Sequence, residues 1–154
     1  MHPGLRPVAA AVTLGVALAA AAVAAPRTHT PATAPSTLTI TRANPLHQPG
    51  PEFAPVTVTD AATVHTLYHA LLALPAFPNG AFSCPADFGV TYTLVFRADG
   101  AQPRTATVDP SGCTGVQISG QHTARWALNG SGPAFLARLQ ELTGLSAAAF
   151  RGMP

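Results

Sequence analysis

Lysine is missing from this sequence: the eight basic residues are all arginine, opposed by only six acids. Charged residues make up 9% of the chain and the formal net charge is +2, with no local basic cluster. Such a surface has little electrostatic pull on a phosphate backbone or an anionic bilayer, so nucleic acid is not expected as a partner. Catalytic vocabulary is equally thin. Ser83, Ser111, Ser119 and Ser131 all lie outside a Gly-x-Ser-x-Gly elbow, and no P-loop lysine follows the glycines of "NGSGP". Acids at 60, 99 and 109 sit in cap or turn contexts, which leaves Glu52, Asp87 and Glu141 with no reason to converge. There are two cysteines and no Cys-x-x-Cys, half the ligand set of a structural zinc site. Accordingly no catalytic residue, resident metal or cofactor is assigned, and a small extracellular hydrolase is the least favoured class.

What is present begins with an address. Arg6 precedes "VAAAVTLGVALAAAAVAA", Val8 to Ala25, and Ala22-Val23-Ala24 offers small side chains to a signal peptidase. Basic start, apolar middle and small-residue exit are the order of a secretory signal, expected to be cut after Ala24. About 18 residues is near the lower limit for a bilayer span, so a retained anchor is the competing reading. The alanine-rich composition disfavours it, and no cysteine stands there for lipid attachment. After cleavage the chain is expected to be secreted, soluble and monomeric, with the charge of +2 falling to +1 as Arg6 leaves.

Residues 25–35 form a Pro/Thr/Ala-rich leader without periodicity, expected to be flexible and solvated. A single domain is expected over residues 36–154. "TLTITR" alternates apolar and polar side chains from Thr37, and Val56 to Thr59 is a second short strand. Asp60 caps a helix that carries Val64, Leu67, Tyr68, Leu71 and Leu72 on one face and ends at Pro75. Strands follow at "VTYTLVF", "RTATV", "GVQIS" and "TARWAL", the last placing Trp126 with Ala124 and Leu128 toward the core. A second helix starts near Pro133, turns Phe135, Leu139 and Leu142 inward, and ends at Gly144. The order predicts an α+β two-layer sandwich, an antiparallel sheet of about four to six strands against two helices.

In a secreted chain an isolated cysteine pair defaults to a disulfide, here Cys84 with Cys113, tying together the starts of two sheet strands. Asp87 is expected to bond backbone amides of its own turn. His65 and His69 stand at i and i+4 on the first helix, a candidate weak metal pair; "HTLYH" lacks the glutamate of a zinc protease, and the exposed flank of a helix is the simpler role. Phe77, Asn79 and Phe82 in "PAFPNGAFSCP" form a candidate interaction loop.

The segments "VTVTDAATVHTLYHALLALPAFPNG", "CPADFGVTYTLVF", "VDPSGC" and "FLARLQELTGL" give residues 56–145 a resemblance to a family of uncharacterised small secreted proteins of high-GC Gram-positive and related soil bacteria. That resemblance implies export and includes both cysteines, but it implies no activity, substrate or cofactor. The leading expectation is a non-catalytic domain that binds a protein, peptide or cell-wall component. A secreted peptidase inhibitor presenting residues 76–85 is the alternative.

Overall fold

The computed structural model describes residues 34–47, 50–81 and 83–153. The signal sequence and nearly all of the leader lie outside the described residues, as does Phe82. Order is already present at the leader's end: Pro35 is buried and the Ser36 amide donates to the Arg97 carbonyl at 2.8 Å.

The described residues form nine elements: β1 (Thr37–Ala43), β2 (Val56–Val58), α1 (Ala61–Leu72), β3 (Thr91–Arg97), β4 (Arg104–Val108), β5 (Gly115–Ile118), β6 (Arg125–Trp126), α2 (Gly132–Thr143) and α3 (Ala147–Arg151). The strands make one sheet in the order β2-β1-β3-β4-β5-β6, with every neighbouring pair antiparallel. The α+β class, the sheet and the cysteine bond are as the sequence predicts. The third helix is an addition.

Register explains the two faces. Leu38 opposes Phe96, Ile40 opposes Leu94, Tyr92 opposes Val108 and Ala106 opposes Ile118. Directly paired residues project to the same side, and all of these are buried. The opposite side carries Thr39, Thr41, Thr93 and Thr107, paired as Thr39–Thr57, Thr41–Thr93 and Thr93–Thr107. β-branched threonine favours the pleated backbone while tolerating water. One apolar face therefore needs one layer of helices, and α1 and α2 supply it.

Asp60 caps α1, accepting from the Thr63 amide at 2.8 Å, and Val64, Leu67 and Leu71 enter the core with Leu74 just beyond. On α2 it is Phe135, Leu139 and Thr143 that are buried, with Leu142 only partly so. Gly132 opens this helix because a Cβ there would run into the Ala127 carbonyl.

Trp126 departs from its expected place. Gly115 pairs with Trp126 and buried Val116 with Arg125, so the indole projects to the outer face and Ala127 is the residue that enters the core. The cause is local. β6 pairs over two residues and adds one more bond in the same register, from the Ala127 amide to the Thr114 carbonyl at 2.9 Å, where the partner strand turns at Thr114 with φ of +50°. The indole Nε1 donates to the Cys113 carbonyl at 3.1 Å. Beyond β6 the sheet edge is covered: Ala76 bridges to Arg125, and the Trp126 amide donates to the Pro75 carbonyl at 2.9 Å. Covering the last strand in this way removes a template for edge-to-edge association.

Candidate functional site

Two turns at one end of the sheet come together through the bond between Cys84 and Cys113, whose Cα atoms are 5.0 Å apart and 29 residues apart in sequence. A polar knot reinforces the bond. The Ser111 hydroxyl, 6% exposed, accepts from the Phe88 amide at 3.2 Å and lies 3.1 Å from Asp87 Oδ1 and 3.3 Å from Asp109 Oδ1. Asp87 Oδ1 also accepts from the Gly89 amide at 2.8 Å, the turn-shaping role its position suggests, and Asp109 Oδ1 accepts from the Ser111 amide at 2.9 Å. The Gly112 amide closes on the Ala86 carbonyl at 3.1 Å. That approach needs glycine: φ is +54°, and a Cβ would stand 2.9 Å from Asp87 Cβ. Burial, with the nearby Asp87 charge as a lesser cause, raises the Asp109 carboxyl above its ordinary range.

α3 completes the region from the other end of the chain. Ser146 caps it, accepting from the Ala149 amide at 3.2 Å. It is docked by the buried Tyr92 hydroxyl, which donates to the Phe150 carbonyl at 3.0 Å, and by Arg42 Nη2, which donates to the Ala149 carbonyl at 3.2 Å. The Tyr92 and Phe150 rings stack with centroids 4.8 Å apart. Burial pushes the Tyr92 hydroxyl up to about 12, so it remains a donor at every physiological pH.

Between the stapled turns, the flank of α2 and α3 lies a cleft of about 440 Å³. Its walls are mainly apolar, from Phe88, Leu136, Phe150 and Met153 with prolines 85, 110 and 133. That volume is within the ordinary range for small-ligand sites, roughly 300–1,000 Å³. Ser111, Thr114, Gln140 and Arg151 are its polar lining residues. The Ser111 hydroxyl is engaged as above, Thr114 Oγ1 donates to the Cys113 carbonyl at 2.8 Å, and Gln140 Nε2 donates to the Leu145 carbonyl at 3.2 Å. A nucleophilic serine needs a base that can take its proton. Among the described residues no histidine lines the cleft, and Ser111 sits between two carboxylates that already hold backbone amides. The arrangement can enclose a ligand.

The sequence's other candidates lie elsewhere. His65 and His69 follow one another along α1 with ring centroids 6.5 Å apart in an edge-to-face arrangement, His65 half-buried and His69 exposed. Among the described residues no group of three or more His, Cys, Asp or Glu side chains is placed to hold a metal. Phe77 is half-buried, its amide donating to the Ala124 carbonyl at 2.8 Å and its ring 6.3 Å from that of Trp126. It also borders a smaller recess of about 260 Å³ on the outer face of β4 and β5. Asn79 is exposed. Sequence reasoning located the cysteines and Asp87 but missed Leu136, Gln140, Phe150, Arg151 and Met153. Leu136 offered a signal, an apolar residue just outside the inward stripe of α2.

The fold and this cleft define a disulfide-braced α+β domain with a preformed apolar recess, and its described residues include no helix long and apolar enough to cross a membrane. Comparison with protein-family models, with curated proteins and with solved structures returns no match.

Proposed function

We propose that this chain is a secreted, non-catalytic binding module whose ligand seat is the cleft between the stapled turns, α2 and α3. The cleft itself carries the reading: an apolar recess of about 440 Å³ whose lining polar side chains are mostly spent on internal hydrogen bonds. Export is supported by the leading Arg6 and the apolar run after it, and by a cysteine pair oxidised in the fold. The ligand is an extracellular or envelope-derived molecule with an apolar group to bury. The test is uptake of an apolar fluorescent probe such as N-phenyl-1-naphthylamine by the mature, oxidised chain. Ala137→Trp, which fills the cleft from an exposed α2 position, should abolish the enhancement while leaving the circular dichroism unchanged. Equal enhancement in the variant would defeat the assignment.

A second reading, a peptidase inhibitor presenting residues 76–85, draws on one observation. The loop is pinned at both ends, by the Phe77 amide on the Ala124 carbonyl and by the Cys84–Cys113 bond, and Asn79 and Gly80 between them are exposed. Indifference of a serine-protease panel to the purified protein would dismiss it.

A further inference from the structure

Resting on the cleft as ligand seat, we propose that its occupant is an anionic amphiphile, an alkyl or aryl carboxylate, with the apolar body among Phe88, Leu136, Phe150 and Met153 and the carboxylate on Arg151. Three observations lead there. Arg151 is the one charged residue among the described residues of the lining. Among the described residues, Arg42 is committed to Ala149, Arg125 to Gln121 and Leu74, and Arg138 to Glu141; Arg97 and Arg104 are exposed away from the cleft lining, and Arg151 is exposed on it with no carboxylate partner. The Ser111 side of the cleft is backed by the Asp87 and Asp109 carboxyls. An anionic head is repelled from that side and attracted to the guanidinium, so the charges select both the sign of the head group and its direction. A guanidinium fork also matches a carboxylate with two parallel hydrogen bonds, which a neutral alcohol cannot reproduce.

Displacement of N-phenyl-1-naphthylamine from the mature, oxidised chain by decanoate, decanol and decylamine tests this, since the three share a tail and differ in the head. Decanoate should compete at about tenfold lower concentration than decanol, the discrimination expected of one charge-assisted contact. Decylamine should be the weakest of the three. Arg151→Gln should bring decanoate level with decanol, and Arg151→Lys should recover part of the difference. If the probe binds but decanoate and decanol compete equally, or if Arg151→Gln changes nothing, the carboxylate assignment falls while the cleft reading stands. Preference for decylamine also overturns it, by giving the head group to Asp87 and Asp109. If the probe fails to bind, or binds Ala137→Trp as it binds the native chain, both readings fail together.

Discussion

Asp109 shows how one side chain can be structurally useful and electrostatically costly at once. Its Oδ1 holds the Ser111 amide at 2.9 Å, yet burial and the neighbouring Asp87 raise its pKa above the ordinary 3.8. A carboxyl whose pKa is raised by folding binds its proton more tightly in the folded state. Its favourable contribution is therefore complete below the ordinary value and is lost as pH rises through the folded one. Asn keeps the accepting oxygen and discards the charge. Asp109→Asn should consequently be more stable than the native chain at pH 7, with the advantage shrinking as pH falls toward 4. Urea midpoints at several pH values measure it; a variant that is less stable at pH 7 would show that the ionised carboxylate itself is required.

At the level of elements, α3 and the residues just after it close one wall of the cleft, with Phe150 and Arg151 of the helix and Met153 beyond it on the lining. Two glycines in the left-handed region separate conformational cost from crowding there. At Gly144, after α2, φ is +68° and a Cβ would meet nothing within 4 Å. At Gly152, after α3, φ is +76° and a Cβ would lie 2.5 Å from Val90 Cγ2 and 3.2 Å from Phe88 Cβ. Gly144→Ala should cost only the left-handed penalty of about 1–2 kcal/mol. Gly152→Ala should cost more, and should speed hydrogen exchange at the Phe150 amide, whose acceptor is the Ser146 carbonyl at 2.8 Å. Equal costs, with Phe150 protection retained, would show that α3 docks loosely enough to absorb a methyl group. The same helix marks where the sequence stops being readable. β1 and β3 announce themselves because alternation at Thr37–Arg42 and Thr91–Phe96 directly encodes one buried face, and α1 because Asp60, its apolar spacing and Pro75 agree. "AAAFR" contains one large apolar residue, too few to show a period, and only Ser146 and Gly152 at its ends hint at a helix. β6 is short because its partner strand begins only at Gly115: Thr114 has φ of +50°, so pairing stops after the in-register bond from the Ala127 amide to the Thr114 carbonyl, and no pattern within "TARWAL" records that. The cleft was illegible for the same reason: its walls come from around residues 85–88, 110–114 and 127–153, which meet only after folding.

For the whole molecule the disulfide serves stability and binding together. Closing a loop over the 29 residues that separate Cys84 from Cys113 stabilises the fold by about 3–4 kcal/mol in the chain-entropy model. That is a large part of the roughly 5–15 kcal/mol expected of a single domain. The hydrogen bonds next to it, from the Gly112 amide to the Ala86 carbonyl and from the Phe88 amide to the Ser111 hydroxyl, hold the same two turns more weakly and in parallel. Reduction should therefore lower the urea midpoint without unfolding the chain outright, because the helix-covered face of the sheet retains its buried side chains. Binding should suffer more than the fold. Pro85, Gly112 and Thr114 line the cleft immediately beside the two sulfurs, so freeing the turns lets that wall move while α2 and α3 stay in place. A Cys84→Ser, Cys113→Ser chain should thus keep its far-ultraviolet circular dichroism at 25 °C, lose about 3–4 kcal/mol in urea titration, and take up N-phenyl-1-naphthylamine less tightly. Unchanged probe affinity in a clearly destabilised variant would mean that the Ser111 knot alone holds the cleft, leaving the disulfide to act on the unfolded chain. An unchanged urea midpoint would mean that the bond neither closes a costly loop nor braces the site.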